Sequence, residues 1–164
     1  MCPSLHAIRH VFIPLLLEQI TTDGNLQTFP ANRDQISIYH SKEIPDISLH
    51  DYVFRFCRYT QLPLPCLLIA SVYLGRLYDT HTIRIDSYSI HRLILCALVA
   101  SRKFHIDDTF LLKSYADIGG VSVHELRNLE VQFCFSLKWK FHVSFDKYRE
   151  IFNLYMWYKR RNDN

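Results

Sequence analysis

Nine histidines and five cysteines are the residues in this chain whose types could do chemistry. His6 and His10 stand at i, i+4, which on a helix puts both imidazoles on one face and could chelate a metal. No Glu follows His6 and no third ligand is near, so the zinc-protease pattern H-E-x-x-H is absent and a solvated pair is expected. Cys57 with His50, or Cys134 with His142, could form a thiol–imidazole couple. Nothing in the sequence brings either couple together, and a buried inert thiol is the expectation. The five cysteines (Cys2, Cys57, Cys66, Cys96, Cys134) are odd in number, form no C-x-x-C and mostly lie in apolar runs. They read as reduced core residues of an intracellular protein, with no structural zinc. Gly119-Gly120 lacks the strand and flanking pattern of a phosphate loop, and no G-x-S-x-G elbow occurs. An enzyme is disfavoured, and no metal or cofactor is implied.

Two charges stand in apolar company. Lys103 ends the run RLILCALVASRK (Arg92 to Lys103), and Glu130 follows Leu129 in the middle of a helical pattern. They are either solvated charges, an ion pair between neighbouring helices, or the two sides of a groove that grips a partner. In the last case truncating one would cost on the order of 2–5 kcal/mol of binding.

The elements that must position them follow from periodicity. Between its charged ends the Arg92–Lys103 run is apolar except for Ser101, and it has few β-branched residues. It reads as a central helix buried on all sides, with Asp86 or Ser87 as its cap. It is well short of the ~18–20 residues that span a membrane. Around it the sequence predicts further helices. One starts at SLHD (Ser48 to Asp51), with Leu49, Val53, Phe56 and Thr60 on its face, and QLPLP (Gln61 to Pro65) separates it from an apolar helix over Cys66 to Tyr78. A short helix opens at Asp107 to Thr109 and ends at Ile118, stopped by Gly119 and Gly120 in left-handed conformation. SVHE (Ser122 to Glu125) is a full capping box for the next, with Leu126, Leu129, Phe133 and Leu137 on one face. Trp139 to Val143 reads as an extended exit, and Ser144 caps a last helix with a stripe of Phe145, Tyr148, Phe152 and Tyr155. At the start, Leu5, Ile8, Phe12, Leu15, Leu16 and Ile20 follow a helical period interrupted by Pro14, and residues 26–47 read as an extended connection packed on the domain.

The fold class is therefore all-α: a single five-helix domain with a central buried helix, plus flanking N- and C-terminal helices. The units expected are 1–47, 48–143 and 144–164. At 164 residues and 49% hydrophobic the chain can bury a core, and its 21% charged and 14% aromatic residues argue against disorder. Four Gly and six Pro are too few for a turn-rich β fold. A net charge of +3 without a dense basic run gives no reason to expect nucleic acid or an anionic membrane as partner. No signal peptide is expected, and VFIPLLL (Val11 to Leu17) is too short to cross a membrane.

Four segments carry a resemblance. YADIGGVSVHELRNLE (Tyr115 to Glu130) resembles the diagnostic segment of the P/U-type cyclins, the group that includes the yeast phosphate-pathway cyclins. IPDISLHDYVFRFCRYT (Ile44 to Thr60), LLIASVYLGRL (Leu67 to Leu77) and SIHRLILCALVASRKFHIDD (Ser89 to Asp108) resemble the same group in the same order. The resemblance implies a cyclin box, five helices around the third, and a regulatory subunit that binds and activates a cyclin-dependent protein kinase in cell-cycle or nutrient and phosphate signalling. Kinase substrates or inhibitor proteins are further implied partners. It places the family's kinase-contacting lysine on Lys103, before Phe104, with Arg102 as the alternative one residue earlier, and the family's glutamate on Glu130. Cys134, Leu137, Trp139 and Phe141 are then the apolar residues facing the kinase. The substrate-recruiting hydrophobic motif of cell-cycle cyclins is absent from LHDYVFRF, and a second box is absent. General transcription factors share the fold, so an adaptor in transcription or nucleic-acid assembly is the alternative, and it would need a basic stripe that the scattered cations do not make.

Overall fold

The computed structural model describes residues 37–80, 83, 85–107 and 110–162, together with Phe12 and Pro14. These residues form six helices and no strand: α1 (Leu49–Thr60), α2 (Leu64–Asp79), α3 (Ile90–His105), α4 (Leu112–Gly119), α5 (Val123–Ser136) and α6 (Phe145–Asn162). Of the first five, α1, α2, α4 and α5 all contact α3, while α6 packs on α2. The expected helix over Leu5 to Ile20, His6, His10 and Cys2 lie outside the described residues. Among the described ones, no helix is long and apolar enough to cross a membrane.

Helix α3 is the hub because its sequence leaves no polar face. Every residue from Leu93 to Val99 is buried, and so are Ser101 and Arg102. Burying a Leu or Ile side chain is worth about 1.5–3 kcal/mol, so this segment has no stable place except the centre. Ser101 is tolerated there because its hydroxyl donates to the Leu98 carbonyl at 2.9 Å. The helix begins at Ile90, and Asp86 acts one turn earlier than a helix cap, accepting the Tyr88 and Ser89 amides at 2.9 and 3.2 Å.

Several boundaries differ from the sequence reading, each for a physical reason. Ser122 does cap α5, accepting the Glu125 amide at 3.0 Å, but the Glu125 carboxylate is drawn away to Arg92 on α3. The capping box is thus half-formed, its acid spent on a tertiary ion pair. Helix α4 starts at Leu112, later than Asp107 to Thr109. Only Gly120 is left-handed (φ 69°); Gly119 belongs to the helix, and there it lets α4 approach α3. The stretch after α5 opens with a tight turn over residues 137–139, with Lys138 and Trp139 at φ 50° and 59°, and residues 140–144 then run to α6 without helix or strand. Ser144 accepts the Lys147 amide at 3.3 Å, as a cap of α6 should. However, α6 buries Ile151 and Tyr155, with Tyr148 partly buried, and leaves Phe145 and Phe152 exposed.

Residues 37–47 lie against the domain. Tyr39 is buried, with its hydroxyl 3.3 Å from Ser136 Oγ at the end of α5. His40 stands 3.4 Å from the buried Asp86 carboxylate. The Ser41 amide donates to the Tyr88 carbonyl at 3.0 Å, and His91 Nε2 donates to the Ile47 carbonyl at 2.9 Å.

Two predictions follow from this packing. A Cβ on Gly119 would fall 2.5 Å from a Leu95 methyl in the core, so Gly119→Ala should destabilise the domain by about 1–3 kcal/mol in urea unfolding. His91 is buried against the Tyr52 ring, and burial lowers its pKa, assisted by the charge of Arg55 and opposed by the Ile47 hydrogen bond. Below the ordinary pKa of ~6.5 the unfolded chain then binds more protons than the folded one, so stability falls as pH drops through that value. Urea midpoints should decrease from pH 7.5 to pH ~5.5, and His91→Gln should shrink that decrease.

Candidate functional site

Helix α3 ends where its sequence turns polar, and this decides which cation reaches the surface. Arg102 stays buried, its guanidinium 5.3 Å from the Phe110 ring centroid. Lys103, one residue on and 100° around the helix, emerges beside α5. Its Nζ donates to Glu130 Oε1 at 2.6 Å, and it also lies 5.8 Å from the Tyr115 ring centroid. The Lys103 side chain is 43% exposed and that of Glu130 19%. The pair therefore sits at a rim, desolvated on the glutamate side, where the attraction is stronger than in open water but is offset by the cost of desolvating the carboxylate.

Beneath the pair, residues of α3 and α5 line a groove of about 180 Å³. Cys96 and Ala100 form its wall on α3, Phe133 and Cys134 its wall on α5, and Phe104 and Phe141 close one end. The floor is apolar, and among the described residues the charges lining it are Lys103 and Glu130. Phe104 is exposed, with its ring 5.5 Å from that of Phe141. Phe141 is held from behind by Tyr73, which makes an edge contact at 5.6 Å and donates its hydroxyl to the Phe141 carbonyl at 2.9 Å.

Of the residues singled out from the sequence, Lys103, Phe104, Glu130, Cys134 and Phe141 meet around this groove. Leu137 does not line it; it is buried in the main core at the end of α5. Trp139 lies outside it too, 63% exposed, with its ring against Phe135. The sequence reading missed Cys96, Ala100 and Phe133. They were within reach of helical spacing, since Ala100 and Cys96 lie three and seven residues before Lys103 and Phe133 three after Glu130.

The thiols are set against nucleophilic chemistry. Burial raises the pKa of Cys134, and the Glu130 carboxylate beside it raises it further. Cys96 is pushed well up by burial, and Cys66 is raised for the same reason. A reactive thiol needs the opposite environment. His50 is taken up by Ser48 and Asp51, while Cys57 is buried in the core. Among the described residues no group of three or more His, Cys, Asp or Glu could hold a metal ion. What the site offers is an apolar slot with one paired charge at its edge, a binding surface for a protein element.

Comparison with known proteins agrees with this architecture. The cyclin family model matches residues 18–141. The chain is 30% identical to Cyclin-U4-1 of Arabidopsis thaliana over 92% of its own length and 76% of that protein. It is 29% identical to Cyclin-P3-1 of Oryza sativa subsp. japonica, over 71% of the chain and 49% of the relative. It is also 29% identical to the PHO85 cyclin-like protein psl1 of Schizosaccharomyces pombe, over 77% of the chain and 54% of that protein. The chain thus spans about three quarters of the first of these relatives and about half of the other two. A family match over most of the sequence and an all-helical box around one buried helix lead to the same place: the chain belongs to the cyclin family, in its P/U-type branch.

Proposed function

We propose that this chain is the regulatory subunit of a cyclin-dependent protein kinase, which it binds and activates inside the cell. The observation that carries the reading is the groove between α3 and α5, apolar at its floor and rimmed by the Lys103–Glu130 pair. In this reading Lys103, Glu130, Phe104, Cys134 and Phe141 contact the kinase from the groove, and Leu137 and Trp139 belong to the same interface. Residues 48–143 form the box, with 1–47 and 144–164 as flanking segments. Cell-cycle or nutrient and phosphate signalling is the setting that the resemblance to the P/U-type cyclins implies, and one relative of the chain, in S. pombe, is named a PHO85 cyclin-like protein.

The mechanism is differential binding. A kinase helix that carries a glutamate needed for phosphoryl transfer samples inward and outward positions, and only the inward one completes the metal and phosphate site. A rigid groove that fits the inward position shifts that population without contributing a catalytic group. Moving an equilibrium from mostly off to mostly on takes about 5.5 kcal/mol of differential binding. Burying the helix's apolar side chains on the groove floor, with the rim charges as donor and acceptor, is of the right kind to provide it.

Replacing Lys103 and Glu130 together with Ala should abolish kinase capture while the far-ultraviolet dichroism stays unchanged. The expected loss is about 2–5 kcal/mol of binding, as for truncation of hydrogen-bonded interface charges. Kinase binding equal to that of the unaltered chain would reject the site, leaving family membership untouched.

A further inference from the structure

Helix α6 divides by charge along its length. In its first half the cations are answered by acids on the same helix: Lys147 Nζ donates to Glu150 Oε1 at 2.9 Å, and Arg149 to Asp146 Oδ1 at 2.8 Å. From Ile151 to Asn162 the helix has no Asp or Glu, yet it carries Lys159, Arg160 and Arg161, all exposed. Cations at a helix C-terminus gain from the dipole, which accounts for their place but not for what stands with them. Trp157 is 48% exposed, and the Arg161 guanidinium lies 4.8 Å from its ring centroid. Arg160 and Arg161 follow Trp157 by three and four residues, so all three share one face of the helix.

That face is held still. Ile151 and Tyr155 are buried against Leu68 and Val72 of α2, which turns Trp157 outward. The Arg76 guanidinium on α2 donates to the carbonyls of Lys140 and His142, stapling the turn ahead of α6 to the domain. A surface fixed in advance loses little entropy when a partner covers it. It is separate from the groove, since α6 packs on α2 while the groove is walled by α3 and α5.

Composition selects the partner. Trp and Arg are enriched among the interface residues whose loss is most costly, and a guanidinium pairs with a carboxylate through two parallel hydrogen bonds. A run of stacked bases needs several open rings and a longer track of cations; here one ring is offered, and Arg161 already covers part of it. A helix lying on an anionic membrane needs an apolar face along its whole length, and the outward side of α6 is interrupted by the exposed Asp146, Arg149 and Glu150. An acidic polypeptide segment with one apolar side chain meets each feature, its apolar group on the indole and its carboxylates on the two guanidinium groups.

We propose that Trp157, Arg160 and Arg161 form a docking site for an acidic segment of another protein, with a single apolar side chain seated on the indole. The site does not depend on what the groove holds, and the two can be filled together.

The test uses the full chain carrying Trp139→Phe, which leaves Trp157 as its sole tryptophan. Three probes are titrated: a Glu-rich peptide with one central Leu, oligothymidylate, and phosphatidylserine vesicles. The peptide should shift Trp157 emission to the blue and bind more tightly than either other probe. Arg160→Ala with Arg161→Ala should weaken peptide binding at least about tenfold, and added salt should weaken the unaltered site. Lys42→Ala with Lys113→Ala, which removes the same charge from exposed positions outside α6, should leave the affinity within about twofold. Equal losses in the two double variants would reduce the binding to net charge and overturn the site. Absence of peptide binding, or binding that leaves Trp157 emission unchanged, would do the same. Tighter binding of oligothymidylate or vesicles would assign the face to nucleic acid or lipid and overturn the proposal. So would an emission shift that grows with protein concentration alone, the mark of a second copy.

Discussion

The structure depends on burying α3 on every side. That constraint draws α1, α2, α4 and α5 around one axis. It also settles the functional geometry, because the helix can remain buried only while its sequence is apolar. Arg102 is the last residue kept inside, by stacking on Phe110, and Lys103 is the next to reach solvent. The cation at the groove rim is therefore placed by the end of the core. Its partner Glu130 is placed by the same logic, one residue beyond the buried Leu129 of α5.

Close approach elsewhere leaves room for the groove here. Gly119 lets α4 lie against Leu95, and Arg92–Glu125 ties the start of α3 to the first turn of α5. At the other ends of these two helices the lining residues Cys96, Ala100 and Cys134 are small, and a slot remains between them. The Arg76 and Tyr73 contacts then fix the turn that closes one end of the slot. A groove built on two helices and a stapled turn is preorganised, which is what the population shift proposed for it requires.

The fold class was legible in the sequence because α3 admits only one environment, and because the turn signals at QLPLP and Gly119-Gly120 divide the neighbouring helices cleanly. Local signals failed where a tertiary partner outbid them. Glu125 looked like a capping acid, but Arg92, distant in sequence, takes its carboxylate. On α6 the spacing three, four, three fits both Phe145–Tyr148–Phe152–Tyr155 and Tyr148–Ile151–Tyr155–Tyr158. Only the position of Leu68 and Val72 on α2 selects the second. Lys103 and Glu130 could be named as candidates, but whether they were solvated, paired or apart depended on how α3 and α5 cross. The left-handed turn at Lys138 and Trp139 carries no glycine and gave no signal at all.

Cys134 reports directly on whether a kinase occupies the groove. Among the described cysteines it alone is partly exposed, and it lines the groove. The rate at which a maleimide labels it, read by mass spectrometry with and without a saturating cyclin-dependent kinase, reports whether the groove is covered. A saturating kinase should suppress labelling of Cys134 strongly while its own activity rises. An active, saturated complex in which Cys134 labels as fast as in the free chain would contradict it.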